Sequence, residues 1–134
     1  MKHFTHEEAT EALATVRPLA EQMVAHRQAF TQARAALVPA RAAVAGNGGG
    51  LDAIRIQQLE AVANDAAAAV VACVEAIGEV GAQVKDVDRG LLDFPARHPA
   101  TGETVLLCWC LGEPEIAFWH GLEEGFPGRK PLPL

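Results

Sequence analysis

The chain predicts an α+β fold: a long antiparallel helical hairpin followed by a three-stranded antiparallel β-meander. Three observations carry this. Apolar residues recur every three or four positions as far as about residue 82, a glycine-rich break at 45–50 divides that region, and after Val84 the period shortens to two. The 134 residues are read as one domain, with helix 1 at 5–44, a linker at 45–50, helix 2 at 51–82, and the meander with its C-terminal tail at 84–134.

Helix 1 opens on Thr5-His6-Glu7-Glu8, a capping box in which the Thr5 hydroxyl accepts the Glu8 amide and the Glu8 carboxylate reaches back. Glu7 and Glu8 also suit the positive end of the helix dipole. Ala9, Val16, Met23, Phe30 and Leu37 form one apolar row, and Ala12, Leu19, His26 and Ala33 the other. Pro18 should kink this helix and Pro39 should begin its end. His26 lacks the Glu-x-x-His partners of a metal-binding bundle and is read as structural.

The linker AGNGGG cannot hold a helix, is expected to be mobile, and is short enough to join antiparallel neighbours. It lacks the Lys-Ser/Thr of a phosphate loop and follows a helix rather than a strand. In helix 2, Ile56, Leu59, Ala63, Ala66, Val70, Cys73, Ile77 and Val80 alternate steps of three and four, the seam of a helix packed lengthwise on another. Cys73 serves there as a small apolar residue. Gly78 and Gly81 weaken the last turn.

Strands are expected at 91–95, 104–110 and 115–120, joined by turns rich in glycine and proline. Lys85, Asp86 and Arg89 are read as ion pairs at the joint between helix and sheet. With Pro95 opposite Thr104 and Cys110 opposite Glu115, one face carries Leu92, Phe94, Val105, Leu107, Trp109, Ile116, Phe118 and His120 toward the helices. The other carries Leu91, Asp93, Leu106, Cys108, Cys110, Ala117 and Trp119. That second face is too apolar for open water, so a second subunit or the proline-leucine tail should cover it. A slip of one residue would exchange the faces.

A net charge of −6 without a basic stripe argues against non-specific nucleic-acid binding. No continuous apolar run approaches the roughly 18–20 residues of a membrane span, and the opening MKHFTHEEA lacks a signal-peptide core. Three cysteines without framework spacing suit a cytoplasmic protein with reduced thiols. Alanine buries little area and two helices leave an apolar stripe uncovered, so a homodimer is expected.

The candidate metal ligands are His120, Glu124, Glu113 and Asp93. If the chain is helical after the third strand, His120 and Glu124 lie one turn apart and could share a divalent cation. Glu113 stands about 20 Å off along an extended strand, and Asp93 on the opposite face, so a third carboxylate would come across a dimer. Cys108 and Cys110 point the same way, but no second pair completes four zinc ligands. As a nucleophile Cys108 would need a base, and His120 is assigned to the other face. Trp109 and Trp119 are core candidates first, and with Arg129, which could hold an anion, they are the candidate ligand-binding residues.

The string Phe4-Thr5 with Glu7-Glu8-Ala9, Val84-Lys85-Asp86, Gly90-Leu91 with Asp93-Phe94-Pro95, Leu107-Cys108-Trp109, Leu111-Gly112-Glu113, Trp119-His120, and Glu124-Gly125-Phe126 with Gly128-Arg129 resembles the bacterial family catalogued as domain of unknown function 2203. The resemblance spans essentially the whole chain. Cys110 departs from it, where the family more often has a basic or polar residue, which speaks against Cys108 and Cys110 as a dithiol. Named for lacking an assigned activity, the family implies none. The residues themselves favour a non-catalytic, homodimeric binding or assembly module whose selective surface is the C-terminal sheet. The alternative is a metal-binding protein or metal-dependent enzyme using His120, Glu124 and a further carboxylate.

Overall fold

A computed structural model describes residues 1–47 and 50–134. Helix α1 spans His6–Asn47 and helix α2 Gly50–Val80. The strands are β1 Gln83–Asp86, β2 Leu91–Arg97, β3 Thr104–Cys110, β4 Phe118–Gly121 and β5 Lys130–Pro131, with a 3-10 turn at Phe126–Gly128. Two helices followed by an antiparallel sheet is the expected order, but the sheet is a five-stranded meander rather than a three-stranded one. The missed strands β1 and β5 are too short to display an alternation of their own.

The capping box forms as read: Glu8 N–H donates to Thr5 Oγ1 at 3.0 Å and Thr5 N–H to Glu8 Oε1 at 2.9 Å. Both prolines lie inside α1, so Pro39 does not end it, and the helix runs to Asn47. Residues 45–47 and Gly50 are therefore helical rather than linker, and the mobility expected of the linker falls on Gly48 and Gly49, outside the described residues. On α2 the seam holds: Ala63, Ala66, Cys73 and Ile77 are buried and Ile56, Leu59, Val70 and Val80 half-buried. The facing row on α1 runs through Ala9, Leu13, Val16, Ala20 and Met23, which leaves Ala12 and Leu19 half-buried at its flank. His26 is likewise half-buried. Contrary to expectation, Asp52–Val80 is long and apolar enough by composition to cross a membrane, but alanine supplies much of that apolarity.

The sheet packs its inner face on the first half of α1 and the last half of α2. Leu92, Phe94, Leu107 and Trp109 meet Leu13, Val16, Met23 and Ile77 in one buried cluster. Each such aliphatic or aromatic side chain contributes roughly 1.5–3 kcal/mol by leaving water. At the joint, the Asp86 carboxylate accepts the amides of Asp88 and Arg89 rather than pairing with a cation. The ion pair there is Arg27 with Asp88 at 2.8 Å.

Two register corrections follow. Pro95 pairs with Leu106 instead of Thr104, a shift of two that leaves the faces of β2 and β3 as assigned. Between β3 and β4 the shift is one: Leu106 pairs with His120 and Leu107 with Trp119. That odd step exchanges the faces of β4, so Trp119 turns inward and Phe118 and His120 turn outward. The outer face is covered by the chain's own segment 122–129, through Phe126 and Arg129, while Leu132 and Leu134 pack against the inner core.

Candidate functional site

The corrected register assembles a cluster on the outer face. Asp93 of β2 lies directly opposite Cys108 of β3, and His120 of β4, paired with Leu106, is diagonal to Cys108. All three are buried, and their carboxylate, thiol and imidazole donor atoms lie within 4.8 Å of one another. His120 Nε2 is 3.1 Å from Asp93 Oδ1, and His120 Nδ1 is 2.7 Å from the Gly121 carbonyl. A carbonyl only accepts, so Nδ1 carries a hydrogen and Nε2 is turned on the carboxylate. Without another cation, a proton has to sit between Nε2 and Oδ1. Burial pushes the Cys108 thiol up to about 12, the Asp93 charge adds to this, and Arg129 opposes it. Cys108 in that state is no nucleophile.

A recess of about 160 Å³ opens beside Asp93 and His120, with Lys85, Leu91, Leu106 and Phe126 among its walls.

The other expected site residues have other duties. The chain after β4 is a turn rather than a helix, so the one-turn relation between His120 and Glu124 does not arise. Glu124 instead accepts the Gly121 amide at 2.8 Å and the Lys130 ammonium at 2.7 and 2.8 Å. Lys130 first, and the Gly121 amide second, hold its carboxyl below the usual carboxylate range. Glu113 grips Arg129 and the Cys110 amide. Arg129 is stacked between Phe118 and Phe126, 4.2 and 4.1 Å from their ring centres, so it is a structural pin rather than an open anion site. Trp109 is fully buried and donates its indole N–H to the Glu113 carbonyl at 3.0 Å, which makes it core. Trp119 is half-buried beneath the Lys130 ammonium, 4.6 Å from its ring centre. Cys110 points its thiol at the Arg89 carbonyl and stands outside the cluster.

Sequence reasoning named Asp93 and His120 but separated them, and it set Cys108 aside. The available signal was Asp93 itself, a carboxylate in the middle of the apolar strand Leu91–Arg97, where burial demands a partner.

An imidazole nitrogen, a thiol and a carboxylate form a donor set that zinc and related divalent ions take. The N–H of His120 fixed on a backbone carbonyl is the outer contact that orients metal-ligating histidines. With Asp93 and Cys108 ionised, a divalent ion also makes the buried set neutral.

No curated protein and no solved structure matches the chain. The family model described as "Uncharacterized conserved protein (DUF2203)" matches residues 2–132, nearly the whole length. The chain belongs to the DUF2203 family.

Proposed function

We propose that this chain is a metal-ion-binding protein in which Asp93, Cys108 and His120 are the protein ligands of one divalent ion, zinc foremost. The observation that carries the reading is the convergence of three buried donor atoms within 4.8 Å. Ligand bonds of about 2.0–2.3 Å place tetrahedral donors roughly 3.3–3.8 Å apart, so the set has only to close slightly. His120 and Asp93 stay from the expected ligand set, and Cys108 takes the place of Glu124 and Glu113. Three protein ligands leave a fourth position, as in zinc sites that bind a water or another small ligand. The three cysteines are free, which suits a reducing cytoplasm. Elemental analysis of untagged protein, with zinc titration of the chelated form, should give about one ion per chain. Cys108→Ser and His120→Ala should lose the ion while keeping helical circular dichroism. A wild-type protein that neither holds nor takes up metal sinks the reading.

A second reading concerns assembly. Val38, Ile54, Val62 and Val71 are 70, 52, 49 and 55% exposed on the two helices. These apolar surfaces support a homodimer formed through the hairpins, with the sheet left free as the binding end. Light scattering at micromolar concentration should give twice the chain mass, and a monomer there refutes it.

A further inference from the structure

We propose that the recess beside Asp93 and His120 takes a short-chain monocarboxylate as the fourth donor to the metal, with the Lys85 ammonium at its rim. The inference rests on the metal reading above. Two of the three donors line the recess, so the open coordination position faces into it. Its remaining walls are mostly apolar, from Leu91, Leu106, Leu122 and Phe126, which suits an aliphatic tail. The volume of about 160 Å³ is close to that of cavities that hold a benzene-sized molecule, room for an acid of four or five carbons.

Charge selects the head group. Asp93, Cys108 and a divalent ion sum to zero, and Lys85 adds one positive charge. Lys85 makes no ion pair among the described residues. A monoanion therefore closes the balance, whereas a phosphate dianion would leave a charge unmatched against leucine and phenylalanine.

The test uses the full chain loaded with Co²⁺, whose visible bands report the ligand set. Sodium butyrate should change those bands saturably, chloride should not, and Lys85→Ala should keep the cobalt bands while weakening the butyrate response about tenfold. Bands that form and ignore butyrate overturn this inference and leave the metal reading standing. An unchanged response in Lys85→Ala overturns the role of Lys85. Phosphate acting as strongly as butyrate overturns the carboxylate assignment. Failure to form cobalt bands at all removes the metal reading and this inference with it.

Discussion

The Glu113 carboxylate receives Arg129 Nη1 on both oxygens, at 2.9 and 3.0 Å. The same carboxylate takes the Cys110 amide at 2.7 Å, so the turn after β3 is tied to the segment that crosses the outer face. This tie accompanies the late start of β4 at Phe118, and that start turns His120 toward Asp93.

Breaking the tie should cost stability. Both side chains are mostly buried, 15% exposed for Arg129 and 23% for Glu113, and hydrogen bonds to charged groups contribute about 1.5–3 kcal/mol. Glu113→Gln and Arg129→Met should each lower the unfolding free energy by about 2 kcal/mol, read from urea midpoints. Unchanged midpoints would show that the ion pair does not hold the outer cover in place.

Trp109 should dominate the blue side of the emission spectrum, being fully buried where Trp119 is half-exposed. Trp109→Phe leaves the Glu113 carbonyl without its indole donor and should cost about 2 kcal/mol, with emission shifted to the red. Acrylamide quenching of wild type as efficient as that of Trp109→Phe would contradict the burial of Trp109.

Metal affinity should rise with pH. The Cys108 thiol, pushed up to about 12, must lose its proton to become a ligand, so the ion competes with that proton. Affinity should climb roughly tenfold per pH unit for each proton released. Calorimetric titration in buffers of different ionisation enthalpy counts those protons, and a pH-independent affinity would exclude Cys108 as a ligand.

At the other end of the chain it is stability that rises with pH. Thr5, by its amide first and its hydroxyl second, holds the Glu8 carboxyl below its ordinary 4.5. The stabilisation is fully present above that value and is lost as pH falls through the lower folded-state value. Glu8→Gln should therefore be less stable than wild type near neutrality and lose less on acidification. Parallel acid-denaturation curves for the two proteins would rule this out.

Gly90 has φ +67, and a Cβ there would lie 2.7 Å from Leu111 Cβ. Gly90→Ala adds left-handed backbone strain of about 1–2 kcal/mol to that clash. Thermal melting should register a clear loss, and an unchanged melting temperature would mean the β1–β2 turn re-forms freely.

The helices were legible because packing along a seam imprints a period that survives in the residues, as Ala63, Ala66, Cys73 and Ile77 show. The faces of β2 and β3 were legible for the same reason, since a shift of two leaves parity intact. The parity of β4 was not, because residues 111–117 are held by distant contacts, among them Arg129 on Glu113 from sixteen residues beyond and Arg17 on the Pro114 carbonyl. No local pattern encodes such a contact. The candidate site shares that error: the expected register turns His120 to the inner face, which parts it from Asp93 and leaves Cys108 without a base beside it.

The final strand is only Lys130–Pro131, and proline offers no amide to a newcomer. At the opposite border β1 is irregular between Val84 and Asp86, and beyond its end the Phe4 amide donates to the Pro95 carbonyl at 2.7 Å. Neither margin of the sheet is a good template for another β-ribbon. Self-association by strand addition is thereby discouraged at both borders.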